Sequence, residues 1–141
     1  MTRHSMRKFL LCLLCLGSWV AIASARSEKP NTVILHPGDV VYARFERKGR
    51  NLTLISATKE ANDQAQIILR FGKWDRSTHE IGLVVENKFD RELTYRIDAR
   101  VPSIGMHREP PVIPVVEGKI SQESWPLPLE ELAAFGFELS K

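Results

Sequence analysis

Short apolar segments alternate with turn-forming residues along most of the chain. Between residues 39 and 46, Val41, Ala43 and Phe45 fall on one face of an extended chain, and the residues between them fall on the other. Strict alternation of this kind is typical of a β-strand with one buried face. Turn chemistry, as in the His-Pro-Gly-Asp segment 36–39, recurs about every eight to twelve residues, the spacing of sandwiches and barrels. The pattern therefore predicts an all-β domain.

The same reasoning predicts seven strands and a short eighth at an edge. The clearest hairpin is expected between 80–87 and 92–101, joined across 88–91, because both segments alternate regularly and Arg100 is among the polar residues that would face water. The predicted strands are 32–35, 39–46, 52–57, 67–71, 80–87, 92–101 and 134–139, with 115–116 at an edge.

Three segments depart from this rhythm. Four prolines exclude regular ladder hydrogen bonding within 102–114, which is therefore expected to be an extended loop or a crossover. The connection 58–66 is polar and is predicted as a loop. Segment 121–128 is predicted to be irregular, with one short turn of helix beginning at Pro128.

The last predicted strand places Phe135, Phe137 and Leu139 on one face. Seven or eight short antiparallel strands with at most one helical turn favour a two-sheet β-sandwich of immunoglobulin-like or fibronectin-like shape, with an up-and-down barrel as the alternative. Such folds carry many unrelated functions, so the architecture by itself selects none of them.

The first 25 residues have the composition of a bacterial signal peptide. Three basic residues precede the apolar run 9–16, and Ala-Ser-Ala at 23–25 is a typical cleavage site. The run is too short to span a bilayer, which favours cleavage over an uncleaved N-terminal anchor. Cys12 and Cys15 would be removed with it, so the mature chain would contain no disulfide and no thiolate ligand. We therefore expect a periplasmic or secreted protein without an integral membrane segment.

Residues 26–141 form the predicted single domain, and its charge is balanced. The first 25 residues carry three of the 20 basic residues and none of the 17 acidic ones, which leaves 17 of each sign. The basic character of the full chain therefore belongs to the predicted signal peptide and gives no reason to expect nucleic acid as a partner.

No motif predicts catalysis, a metal site or a cofactor. Asp75, Ser77 and His79 alternate and would share one face of a strand, but neighbouring side chains on that face are displaced by about 7 Å, too far for a catalytic relay. His36, His79 and His107 are distant in sequence and lack a recognisable metal-ligand spacing. We therefore predict a protein that is not an enzyme and that uses no cofactor or metal.

The candidate binding residues are aromatic or basic side chains in the irregular segments. Tryptophan beside arginine is a composition found at interface hot spots and sugar-binding platforms, although tryptophan also commonly fills the end of a sandwich core. The candidates are Trp74, Arg76, Met106, His107, Arg108 and Trp125.

Three functions remain open at the level of sequence. The first is a non-enzymatic binding module that contacts another envelope or secreted protein through a sheet edge or the proline-rich segment, and it requires an exposed strand edge or apolar patch. The second is a domain for carbohydrate or another small ligand, or a hydrolase inhibitor, which requires exposed tryptophans. The third is an enzyme, which requires a pocket with converging titratable groups.

Overall fold

The computed structural model describes residues 29–73 and 80–141. Those residues form nine strands and one turn of 3-10 helix at Pro102–Ile104, so the all-β prediction is confirmed. The strands, numbered in chain order, are β1 (Val33–Leu35), β2 (Val40–Lys48), β3 (Asn51–Thr58), β4 (Ile67–Gly72), β5 (Ile81–Asn87), β6 (Leu93–Val101), β7 (Met106–Arg108), β8 (Ile120–Trp125) and β9 (Glu131–Leu139). The predicted signal peptide with its two cysteines, Trp74, Arg76 and the trio Asp75, Ser77 and His79 lie outside the described residues.

The strands form one strongly curled antiparallel sheet. Their order is β7-β6-β9-β3-β2-β4-β5-β8, and β1 pairs with β9 beside this path. Strand β9 is central: it pairs with β6 on one side, and on the other side with β1 through 132–134 and with β3 at Glu138. The two ends of the order are β7 and β8, and neither of them pairs with a second described strand.

The core lies inside the curl of the sheet. Phe45 on β2 and Phe137 on β9 meet there with ring centroids 5.0 Å apart, and Tyr95 on β6 stacks on Phe137 at 6.1 Å. The inward positions predicted for β2, β5 and β6 are buried, as the alternation indicated. Full burial of each large apolar side chain contributes about 1.5–3 kcal/mol, so these rows of residues stabilise the curl.

The predicted hairpin between β5 and β6 is wrong. Strand β5 pairs with β4 and β8, whereas β6 pairs with β7 and β9. Asn87, which is fully buried, organises the connection: its Nδ2 donates to the carbonyl oxygens of Arg91 at 2.8 Å and Val115 at 3.0 Å, and its Oδ1 accepts from the Phe89 amide at 2.9 Å. Alternation identifies which residues face the core, but it does not identify the neighbouring strand.

A bulge in β9 changes the predicted face of Phe135. Gly136 has a φ of 63°, a left-handed conformation that glycine adopts readily, and the register with β6 shifts between Thr94 and Arg96. Phe137 therefore points into the core, while Phe135 lies on the outer face beneath Lys29, whose Nζ is 3.9 Å from the ring centroid. The prediction of one shared face is wrong because the bulge inserts one extra residue.

Other corrections concern segments that are short or polar. The predicted irregular segment 121–128 contains most of β8, and no helical turn forms at Pro128. The proline-rich segment contains the 3-10 turn and the short strand β7, and only its remainder is an extended crossover. Val115 makes a single bridge to Leu93 instead of an edge strand. Pairing with β5 makes residues 120–125 a strand, although their mostly polar sequence has no apolar alternation that would predict one.

Candidate functional site

Strand β8 presents an open edge. All six of its residues pair with β5 without a register shift, and no other strand in 29–73 and 80–141 pairs with its opposite side. An unpaired edge exposes a row of backbone donors and acceptors that another extended chain can use. The edge is therefore the first candidate for a binding site.

The hydrogen-bond pattern identifies the residues that face this open side. The Asn87 amide donates to the carbonyl oxygen of Lys119 at 3.0 Å, so residues 87 and 119 form a hydrogen-bonded pair. In an antiparallel ladder such pairs alternate, and residues 121, 123 and 125 therefore bond to β5. The backbone amides and carbonyls of Ile120, Gln122 and Ser124 consequently point toward the open side.

The sequence of β8 contains few of the devices that block an added strand. Natural edges are commonly protected by lysine, proline, a bulge, a very short length or an inward-pointing charge, and the segment Ile-Ser-Gln-Glu-Ser-Trp contains only the last of these, at Glu123. Three of the five exposed large apolar side chains among the described residues also lie at or near this strand: Ile113, Val116 and Ile120, each more than half exposed. The open backbone thus lies next to exposed apolar surface.

A group of buried polar atoms lies behind β8. Ser121 and Glu123 occupy two of its three inward positions, and Tyr95 on β6 approaches them across the core. The Ile113 amide donates to Oε1 of Glu123 at 2.7 Å. The other carboxylate oxygen, Oε2, the Tyr95 hydroxyl and the Ser121 hydroxyl are buried and have no hydrogen-bond partner in the described part of the chain. We call Tyr95, Ser121 and Glu123 the Tyr95 cluster.

The protonation of the Tyr95 cluster follows from its burial. Burial raises the pKa of the Glu123 carboxyl, and the hydrogen bond from Ile113 offsets only part of this effect. Burial and then the negative charge of Glu123 raise the pKa of the Tyr95 phenol well above its ordinary value. The nearby Ser121 hydroxyl lowers the pKa of Tyr95 by a smaller amount, although the two hydroxyls do not meet the geometry of a hydrogen bond. Tyr95 is therefore a neutral hydroxyl that can both donate and accept.

The described residues that the sequence singled out lie on two different strands. Trp125 ends β8 and is half-buried against the core, so it belongs to the same strand as the open edge. Met106, His107 and Arg108 form β7 at the other end of the strand order, where Met106 is half-buried and the other two are exposed. No strand pairing brings the two groups together. Trp74 and Arg76 lie outside the described residues.

A second polar cluster surrounds Arg100, which was expected to face water and is only 8% exposed. Its Nε lies 2.8 Å from Oδ2 of Asp98, and its Nη1 lies 2.7 Å from Oε1 of Glu131. His36 approaches the other oxygen of Glu131 at 3.2 Å, and His107 lies 3.5 Å from Oδ1 of Asp98. We call Arg100, Asp98 and Glu131 the Arg100 cluster. Acidic partners on two strands explain how an arginine is accommodated against the sheet.

Asp39 lies next to the Arg100 cluster and contacts it through His36. Its Oδ2 accepts from the His36 amide at 2.8 Å, and its Oδ1 lies 2.8 Å from Nζ of Lys59. Burial by itself raises the pKa of the Asp39 carboxyl, but the bonds from Lys59 and His36 outweigh burial and lower it. These charges are paired with one another, as expected for a structural ion-pair network.

One cleft, beside the start of β5, is lined mostly by apolar residues. It has a volume of about 480 Å³ and is lined by Pro37, Lys73, Ile81 and the segment 126–129, so Lys73 is the one titratable side chain among its described lining residues. Within 29–73 and 80–141, no group of three or more His, Cys, Asp or Glu side chains is placed to hold a metal ion.

Sequence reasoning missed both polar clusters. Glu123 follows a glutamine and precedes a serine, so its inward direction becomes visible only through the pairing of β8 with β5. Arg100 alternates with apolar residues and resembles a solvated strand position, and its acidic partner Glu131 is distant in sequence. An inward-facing tyrosine at Tyr95 was the one signal, because a buried hydroxyl usually needs a polar partner.

Neither a membrane-spanning helix nor a similar known protein indicates a function for the described residues. Among the residues that the structure describes, no helix is long and apolar enough to cross a membrane. Searches for similar proteins, made against models of protein families, against curated proteins and against solved structures, find no match to this chain.

Proposed function

We propose that this protein is an exported, non-enzymatic binding module that holds an extended segment of a partner protein along the open edge of β8. The observation that carries the proposal is the straight, uncharged outer side of Ile120, Gln122 and Ser124, whose backbone groups have no partner strand in the described residues. In this proposal a signal peptide is removed at residue 25, the domain 26–141 folds as an immunoglobulin-like sandwich outside the cytoplasm, and the partner is another envelope or secreted protein.

Addition of a strand uses interactions that the edge already offers. Each backbone hydrogen bond contributes about 0.5–1.5 kcal/mol net, and three outward residues can donate and accept one bond each. Contacts with the exposed side chains of Ile113, Val116 and Ile120 would add apolar burial beside the backbone bonds. The exposed part of Trp125 lies at the end of the same strand, where it would contact one end of an added segment.

The test uses peptides of alternating valine and threonine, about eight residues long, with a polyethylene glycol tail for solubility. One arginine is moved along the peptide by one position at a time, and binding is measured by fluorescence anisotropy. Gln122→Pro removes an amide that faces the open side and does not serve the ladder with β5, so we expect binding to weaken about tenfold while the domain stays folded. The matched control Gln122→Thr keeps the amide and should bind like the parent.

Two results would argue against this proposal. A folded Gln122→Pro variant that binds the peptides as tightly as Gln122→Thr would exclude the β8 edge as the site. Peptides with N-methyl groups on alternate residues provide the second arm, because strand addition requires the amides on one side of the peptide. Equal affinity for both N-methylated patterns would show that side-chain contacts and not strand addition are responsible.

A further inference from the structure

The structure points to a specificity determinant behind the edge. We propose that the Tyr95 cluster selects partner strands that carry a basic side chain on their inward face, an inference that rests on the proposed binding at β8. The ligand chemistry is a cationic group with several hydrogen-bond donors, supplied by arginine in the added strand.

The position of the cluster makes it reachable from an added strand. Ser121 and Glu123 are the inward side chains of an edge strand, and Glu123 stays partly exposed. Side chains directly opposite one another on neighbouring antiparallel strands have Cβ atoms about 4.5–5.5 Å apart. A long side chain on the inward face of an added strand therefore comes next to Glu123 without any rearrangement of the ladder with β5.

Three oxygens of the Tyr95 cluster could each accept a hydrogen bond that no described residue donates. The Tyr95 residue is only 4% exposed, and its hydroxyl, the Ser121 hydroxyl and Oε2 of Glu123 all lack a partner among the described residues. Buried polar atoms in proteins are nearly always hydrogen-bonded, so three such atoms in one place need an explanation. A guanidinium carries five N–H donors and no acceptor, which matches a group of three oxygens that can all accept.

The charge of the cluster favours a cation over a neutral donor. No described lysine, arginine or histidine forms an ion pair with Glu123, although most other carboxylates near β6 and β9 have such a partner. Burial already raises the pKa of this carboxyl, which shows that the negative charge is poorly compensated. A guanidinium brought against Oε2 would supply the missing positive charge together with its hydrogen bonds.

The test combines two isosteric changes in a double-mutant cycle. Citrulline replaces arginine in the peptide with a neutral side chain of the same shape, and Glu123→Gln replaces the carboxylate in the protein. We expect the arginine peptide to bind the parent protein about tenfold or more tightly than the citrulline peptide, and this preference to disappear in Glu123→Gln. Only arginine at inward positions, every second residue of the peptide, should show the coupling.

The outcomes separate this inference from the proposed function. If the peptides bind and depend on the Gln122 amide, but the ratio of arginine to citrulline affinity is equal in the parent and in Glu123→Gln, the specificity inference is wrong and the cluster holds only water. If no peptide binds the folded parent, the strand-binding function itself is wrong. If Glu123→Gln does not fold, Ser121→Ala provides a second variant. The Ser121→Ala protein should show a smaller preference for the arginine peptide over the citrulline peptide, but not lose the preference.

Discussion

The Arg100 cluster and the Tyr95 cluster differ in how completely their polar atoms are paired. In the first, the guanidinium lies between two carboxylates at 2.7 and 2.8 Å and Oε2 of Glu131 lies 3.2 Å from His36, so one buried oxygen has no hydrogen bond in the described residues: Oδ1 of Asp98, 3.5 Å from His107. In the second, three oxygens have no partner in the described residues. Buried polar groups cost free energy unless they are bonded, so the two clusters should affect stability in opposite directions.

The two clusters have different explanations. A paired cluster is explained by folding alone, because removing any member would leave a charge without compensation. An unpaired cluster is not explained by folding, since replacing its members with apolar groups would be neutral or favourable for the domain. The position of the unpaired cluster behind an open strand edge therefore supports the proposed role in binding.

The largest expected effect is in the Arg100 cluster. Arg100→Met should reduce the free energy of unfolding by about 3–5 kcal/mol, because it leaves Asp98 and Glu131 half-buried without their cation. Urea unfolding followed by circular dichroism measures this loss. Lys59→Met, which removes an exposed partner of Asp39, is the control and should cost no more than about 1 kcal/mol. Equal losses in the two variants would contradict the structural role of Arg100.

A smaller effect of opposite sign is expected at Tyr95. Tyr95→Phe removes a buried hydroxyl that has no partner and keeps the ring that stacks on Phe137. The free energy of unfolding should stay unchanged or rise by up to about 1 kcal/mol. A loss greater than 1 kcal/mol in the same urea experiment would mean that the hydroxyl makes a stabilising bond, and the contrast between the two clusters would fail.

The smallest effect concerns the pH dependence of Glu123. Its pKa in the folded state is raised above the ordinary value of 4.5, so ionisation of this carboxyl opposes folding at neutral pH. Glu123→Gln should therefore raise the melting temperature at pH 7, and the gain should vanish as the pH falls through the raised pKa. Ionisation of Asp39 has the opposite effect on stability. Because the pKa of Asp39 is lowered in the folded state, its carboxylate stabilises the fold above the ordinary pKa of 3.8, and this stabilisation is lost as the pH falls through the lowered pKa. A gain for Glu123→Gln that persists in acid would contradict the assignment.

Much of the sheet could be predicted from sequence, and its connections could not. Alternation identified β2 and β5, whose inward residues are almost all apolar, and a nearly continuous apolar run identified β4. It missed β8, where serine and glutamate occupy two of the three inward positions. The bulge at Gly136 and the turn organised by Asn87 depend on a single residue each, and neither leaves a periodic signal. The Tyr95 cluster joins β6 to β8, which no local pattern relates.

The central position of β9 limits the order in which the molecule can fold. This strand is the last of the nine described strands, yet it lies between β6 on one side and β1 and β3 on the other. Phe137 on β9 also fills the middle of the core, where it contacts Phe45 and Tyr95. The core is therefore incomplete until the ribosome has synthesised residues 131–139, so earlier nascent chains lack the strand that joins the two halves of the sheet.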